Sequence, residues 1–266
     1  TVDKAFSGDI VAVAGIDDIS IGETICNIDQ IEAMDMIKIE EPTLSMNFSV
    51  NTSPFAGNSG KYLTTRHLKA RLEKELEVNV GLRVDEIPNL DSFKVSGRGE
   101  LHLSILLENM RREGYELSVS KPEVLMKRKN GKLMEPVERV IIDTPEKSSG
   151  TVISKLNKRK GMMQTMTTEN DFVKIQYLVP TRGLIGFKSE FINDTRGEGT
   201  LIRSFEKYEK YKGEVPERSN GVLISKNDGI AMAYSLFNLS ERGTMFIKPG
   251  TEVYEGMIIG INSRNN

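Results

Sequence analysis

The chain has 266 residues, 38% hydrophobic and 28% charged, with a net charge of −2. That is enough for two or three compact domains and too apolar for a disordered chain. No run of about 18 apolar residues exists, which excludes a membrane-spanning helix, and no basic-then-apolar opening marks a secretory signal. The single Cys26 excludes an internal disulfide and a multi-cysteine metal site. His67 and His102 lie far apart, which argues against zinc, and a reducing, cytoplasmic setting fits. The charge is uneven: residues 1–41 carry ten acids against Lys4 and Lys38, a net −8, which leaves +6 for the remainder. An acidic leading piece before a basic body favours a nucleic-acid partner.

Residues 1–33 read as short strands and turns, with apolar runs at 10–14 and 21–25. Runs this short cannot close a core, so the expectation is the end of a β-barrel, and Thr1 reads as an opening within a longer protein. Pro42 marks a boundary. Residues 44–50 alternate (Leu44, Met46, Phe48, Val50) as a half-buried strand. Residues 61–77 carry Leu68, Leu72 and Leu76 on one face of a predicted helix. Strands follow at 82–87 and 93–96, then a helix from Leu103 with Leu106, Leu107 and Met110 inward, stopped at Gly114, and a strand at 115–119. The order is βαββαβ, a ferredoxin-like split βαβ.

The same order repeats: a strand at 137–142, a helix at 150–160 carrying Val152, Ile153 and Leu156 and stopped by Gly161, strands at 162–168 and 173–179, a helical face of Leu184, Phe187, Phe191 and Ile192 stopped at Gly197, and a strand at 201–205. From 212 onward the pattern changes. Residues 222–224, the turn Lys226-Asn227-Asp228-Gly229 and residues 230–236 read as a hairpin, with further strands punctuated by Pro249-Gly250 and Glu255-Gly256. The predicted architecture is α+β: two successive ferredoxin-like domains (34–128 and 129–210) between a β-barrel remnant (1–33) and a β-rich C-terminal domain (211–266).

Three segments carry candidate chemistry. Gly57-Asn58-Ser59-Gly60-Lys61-Tyr62 ends in Gly-Lys but fails the phosphate-loop pattern at Phe55 and Tyr62. It reads as a loop into a helix, with a backbone phosphate as the physical candidate if it binds anything. Ser96-Gly97-Arg98-Gly99-Glu100-Leu101-His102 follows a strand and precedes a helix, but His102 stands where a dinucleotide fingerprint needs glycine. Gly97 and Gly99 read as a tight turn using left-handed backbone, Arg98 as a secondary contact for RNA or a neighbouring domain, and His102 as packed or capping. No nucleophile with a matching base is evident. Lys155, Lys158, Arg159 and Lys160 put four cations at one helix end. They suit the helix dipole and equally suit phosphate. Arg182, at a strand-to-helix loop, is a further phosphate candidate. Lys212, Arg218, Lys226, Arg242, Lys248 and Arg264 are scattered on predicted turns, where they read as solvated surface or collectively as an RNA-facing side.

Gly97-Arg98-Gly99-Glu100-Leu101-His102 and Lys121-Pro122-Glu123-Val124 resemble the third domain of the translational GTPases. Ser7-Gly8-Asp9-Ile10 and Gly22-Glu23-Thr24-Ile25 resemble the end of their β-barrel domain. Glu135-Pro136-Val137, Arg159-Lys160-Gly161-Met162 and Arg182-Gly183-Leu184-Ile185-Gly186-Phe187 resemble the domain V shared with elongation factor G and LepA. Asn220-Gly221-Val222-Leu223-Ile224-Ser225 and 253–260 resemble the C-terminal domain of the BipA/TypA family, which also normally continues past this point with a basic stretch. The resemblance implies a ribosome-docking half that meets the 70S ribosome, 23S rRNA and A-site tRNA and acts in large-subunit assembly and stress adaptation; the sequence leaves the oligomeric state open, with a monomer as the default. It implies no cofactor in these residues. GTP and Mg²⁺ belong to the family's N-terminal GTPase domain, whose motifs are absent here, so the expectation is no enzymatic activity in this chain. The implied RNA contacts are Lys155, Lys158, Arg159, Lys160 and Arg182, with Lys212, Arg218, Lys226, Arg242 and Lys248 in the tail. Two other classes stand beside this reading: a protein–protein adaptor using the acidic residues 1–41, and an acylphosphatase-like enzyme on a ferredoxin-like fold.

Overall fold

The computed structural model describes residues 2, 4–16, 19, 21–35, 41–215 and 220–263. Arg218 and Arg264 lie outside the described residues, as do Asp3, Asp17, Asp18, Lys38 and Glu40 of the acidic stretch. The chain forms two compact units, one of residues 1–51 and 57–127, the other of residues 128–266 together with 52–56.

In the first unit the alternating strand β1 (Leu44–Val50) buries Leu44 and Phe48. Helix α1 (Thr65–Val78) begins where the Thr64 hydroxyl accepts the His67 amide at 3.3 Å, an N-cap bond. It buries Leu68 and Leu72, whereas Leu76, expected inside, is 37% exposed. Each four-residue step turns the helix by about 40° beyond a full circle, so the third leucine drifts off the seam. Then come β2 (Arg83–Glu86), β3 (Ser92–Gly97), α2 (Glu100–Glu113) and β4 (Leu117–Val119). Gly114 ends α2 in the left-handed conformation (φ 96°). The short β5 (Glu123–Val124) pairs with the start of β1. The sheet runs β2-β3-β1-β4 and is antiparallel, with Phe48 opposite Phe93. That is the strand order of the split βαβ motif. Leu103, Leu106 and Met110 of α2 close the core, and each fully buried leucine contributes about 1.5–3 kcal/mol.

The second unit repeats this order. After β6 (Lys127–Lys129) come β7 (Lys132–Pro145), α3 (Glu146–Lys158), β8 (Met162–Glu169), β9 (Phe172–Pro180), α4 (Thr181–Leu184), α5 (Phe187–Asp194) and β10 (Thr200–Lys210), with sheet order β10-β7-β9-β8. Val140, Ile142, Val152, Leu156, Ile175 and Tyr177 lie in one continuous core. Three local expectations change. Helix α3 starts at Glu146 behind Pro145, so Gly150 lies inside it. Its stop is Lys160, which takes the left-handed position (φ 64°). Gly161 serves close approach instead: a Cβ there would meet the Leu156 carbonyl at 2.9 Å and Tyr177 at 3.0 Å. The helical face running to Ile192 is cut into α4 and α5 by Gly186 (φ 71°), and Ile192 is 46% exposed.

The tail departs further from the pattern. It contains β11 (Val222–Ile224), β12 (Gly229–Ile230), α6 (Ala233–Ser240), β13 (Gly243–Met245), β14 (Glu252–Val253) and β15 (Ile258–Asn262). The expected hairpin between 222–224 and 230–236 is absent. β11 pairs with β15 and β12 with β14, while 233–240 is helical. A short apolar run does not distinguish strand from helix by period alone. At the other end, the described residues among 1–33 form turns and one Asn27–Gln30 bridge but no strand, and Ile28 and Ile31 are exposed. The strand reading of 10–14 and 21–25 fails because no neighbouring strand supplies a ladder among the described residues.

Two loops differ from the glycine reading. Gly99 is extended (φ 177°) and open on its Cβ side, and a Cβ on Gly97 would meet Leu103 at 2.9 Å and His102 Nδ1 at 3.0 Å. Close packing, with no left-handed turn, is what Gly97 answers. His102 Nδ1 accepts the Arg98 amide at 3.3 Å, which leaves Nε2 to donate to Asn79 Oδ1 at 3.0 Å. Burial holds the imidazole below its usual range. Asn79 then donates to Glu75, which pairs with Arg71, which reaches Glu113 at the far end of α2. His102 is thus a packed link between α1 and α2.

In the Gly57–Gly60 loop the backbone amides of Gly57, Ser59 and Gly60 donate to the Glu116 carboxylate at 2.9, 2.7 and 2.7 Å, and Asn51 Nδ2 adds a fourth bond at 3.0 Å. A carboxylate of the chain itself fills the anion cradle. These donors, the Gly57 amide foremost, pull the Glu116 carboxyl down to about 2 from 4.5. Because the folded value is depressed, its stabilisation is complete above about pH 4.5 and drains as pH falls toward 2. Glu116→Ala is expected to lower Tm by on the order of 5 °C or more and to remove the wild type's extra acid sensitivity below pH 4.5. Thermal melts across pH, with amide exchange at Ser59 and Gly60, check both.

Candidate nucleic-acid interface

The cations expected to meet RNA fall into three groups. Lys155 and Arg159, one turn apart on α3, both reach Glu190 of α5. Lys155 Nζ is 2.7 Å from Asp194 and 3.5 Å from Glu190, and its hydrogen bond to Asp194 raises the ammonium above its usual range. The Arg159 guanidinium pairs with Glu190 at 2.7 Å, donates to the Gly183 carbonyl at 2.7 Å and lies 5.4 Å from the Phe187 ring centre. Arg159 thereby ties α3 to the turns around α4. Both side chains thus have carboxylate partners within the fold.

Arg182 and Lys212 form a second knot. Glu135, on β7, has no exposed surface. Both arms of Arg182 donate to its carboxylate, one arm also bonds the Gly213 carbonyl, and the guanidinium stacks 4.5 Å from the Tyr211 ring centre. The Lys212 amide donates to Glu135 at 2.7 Å and the Lys212 ammonium pairs with Glu209 at 2.9 Å. Arg182 is therefore a half-buried counter-charge to the buried Glu135, pinning the chain that leaves β10. The fold put it there because Glu135 needs partners once out of water.

Lys158, Lys160, Lys226, Arg242 and Lys248 are exposed, and among the described residues their side chains have no ion pair. They remain available to an anion. A further group carries no apolar period to announce it. Arg128, Lys129 and Lys132 sit on the β6–β7 hairpin, all exposed and flanking Asn130-Gly131. An Asn-Gly pair between cations is the signal that marks such a tip in a sequence.

The remaining chemistry does not converge. The Gly57–Gly60 donors are spent on Glu116, so the loop does not fit a nucleotide phosphate. Among the described residues no group of three acidic, histidine or cysteine side chains could hold a metal. The hollow of about 680 Å³ beside Tyr62, Lys74 and Tyr115 contains Arg71, but that guanidinium is committed to Glu75 and Glu113. Among the described residues no helix is long and apolar enough to cross a membrane.

Arg182→Ala is expected to destabilise the protein by about 3–5 kcal/mol, because it strands a buried carboxylate. Lys158→Ala should change stability by less than about 0.5 kcal/mol. Urea denaturation of the two variants separates the structural cation from the available one.

Comparison with known proteins identifies the family. Residues 132–219 match the Elongation factor G C-terminus and residues 220–266 the TypA/BipA C-terminal domain. The large ribosomal subunit assembly factor BipA of Haemophilus influenzae is 52% identical over 266 residues, 99% of this chain and 43% of that protein. Those of Bacillus subtilis and Escherichia coli K12 are each 49% identical, covering 100% and 99% of the chain and 44% of each relative. The chain spans less than half the length of these relatives. With both C-terminal domains matched in tandem and about half its residues shared along its whole length, the chain belongs to the TypA/BipA family and corresponds to its C-terminal part.

Proposed function

We propose that this chain is the ribosome-docking half of a BipA-type translational GTPase. In this reading it binds ribosomal RNA of the large subunit, meets the 70S ribosome at the A site beside tRNA, and serves large-subunit assembly and stress adaptation in the cytoplasm as a monomer. The observation that carries the reading is the 49–52% identity, sustained along the whole chain, to proteins named large ribosomal subunit assembly factors. GTP and Mg²⁺ would be handled by the GTPase domain of the whole protein, and the residues here would transmit its state through stiff sheets. Phosphate contacts are assigned to the cations left unpaired by the fold: Lys158 and Lys160 at the end of α3, with Lys226, Arg242 and Lys248 in the tail. Exposed lysines contribute to RNA affinity by displacing counterions, which makes binding steeply salt-dependent.

Co-sedimentation with 50S subunits and 70S ribosomes across a salt series tests the reading. The wild-type chain should bind with a steep negative slope of log affinity on log salt. Lys158→Glu/Lys160→Glu should flatten that slope by about 2 and weaken binding on the order of tenfold at about 0.1 M salt, with Tm unchanged. An unchanged slope and affinity would remove these two lysines from the interface.

A further inference from the structure

We propose that the β6–β7 hairpin, through Arg128, Lys129 and Lys132, grips the phosphate backbone of double-helical RNA. The choice of RNA rests on the ribosome-docking reading. The grip itself rests on four properties of the hairpin.

Its charge is one-signed. Residues 126–133 contain four cations and no acid. Lys127 pairs with Glu41, while Arg128, Lys129 and Lys132 are exposed and have no ion pair among the described residues. Elsewhere in the same unit Arg139, Arg159, Arg182 and Arg203 each hold a carboxylate. Other exposed cations of the unit, such as Lys158 and Lys226, are likewise without an ion pair among the described residues, but only the hairpin gathers three of them within five residues.

Its charges are also forced together. Asn130 and Gly131 both have positive φ, 52° and 73°, and form a two-residue loop that fits the type I′ hairpin turn. Such a loop sets Lys129 and Lys132 directly opposite, with Cβ atoms about 5 Å apart, where like charges repel. The repulsion is a standing local cost that a bound anion between the two ammonium groups removes.

Its backbone is stiff and projects. β7 is 14 residues long and lies second in its sheet, but its pairing with β9 begins only at Val137. The five residues back to Lys132 extend about 16 Å past β9, but β10 flanks them as far as Met134, so only the tip around Asn130-Gly131 stands clear of both neighbours. A paired ribbon held this way loses little conformational freedom on binding, which favours contact with a rigid surface.

Finally, residues 126–133 contain no aromatic side chain. Single-stranded RNA is held largely by bases stacked on aromatic rings. A charged ribbon without rings can read only the backbone, and the double helix presents that as closely spaced phosphates.

The test uses the full chain and two probes: a labelled RNA duplex of about 20 base pairs with arbitrary sequence, and purified 50S subunits. Arg128→Ala/Lys129→Ala/Lys132→Ala keeps Asn130-Gly131 and should keep its Tm. It should weaken duplex binding about tenfold or more at about 0.1 M salt and lower the salt slope by 2–3, roughly one per cation. The charge-keeping variant Arg128→Lys/Lys129→Arg/Lys132→Arg should bind as wild type does. If the triple alanine variant binds duplex and subunits with unchanged affinity and slope, the grip is overturned while docking stands. If the wild type binds duplex through the hairpin but ignores 50S subunits, the grip stands and the docking reading falls. Equal competition by a polyglutamate peptide of matched charge would also overturn the proposal, since it would make the hairpin a general acid-binding surface.

Discussion

Glu135 has no surface in contact with water, and a carboxylate in that position must have its counter-charge and donors in place before the strand carrying it can be buried. Arg182, the Lys212 amide and the stacked Tyr211 ring meet that demand. In doing so they fix where the chain goes after β10. The same constraint operates at Glu116, satisfied by three loop amides, and at Glu138, satisfied by Arg203 at 2.8 Å. Each solution spends donors that sequence motifs make look available to a ligand.

Spending those donors sorts the basic residues by role. Lys155, Arg159, Arg182 and Lys212 are held by acids of their own unit. Lys158 and Lys160, the residues on either side of the Arg159 anchor, are left outward. Alternation along the end of α3 thus places structural and available cations side by side. Both kinds fit within six residues because the helix turns by about 100° per residue.

Much of the fold was legible from period alone. Leu44, Met46, Phe48 and Val50 announced a strand, and Leu103, Leu106 and Met110 a helix; both βαββαβ orders fold into matching sheets. What failed was short or partnerless. Residues 233–240 are helical although a run of that length reads equally as a strand, and the apolar residues near 10–14 form no strand. The site was legible as residue type and not as partnership. Arg182 meets Glu135 across 47 positions and Arg159 meets Glu190 across 31, and no local pattern links such pairs. The Lys127–Lys132 hairpin carries the opposite lesson: its signal is local, an Asn-Gly turn among cations, but it has no apolar stripe and so gives periodicity nothing to detect.

The division of cations into committed and available is tested most directly by lysine labelling, read by mass spectrometry, on the chain alone and on the chain bound to 50S subunits. Alone, Lys129, Lys132, Lys158 and Lys160 should react fast, and Lys155 and Lys212 slowly. On the subunit the fast set should become protected while Lys155 and Lys212 stay as they were. Fast reaction at Lys155 and Lys212 in the free chain, with protection of those two on binding, would contradict the account.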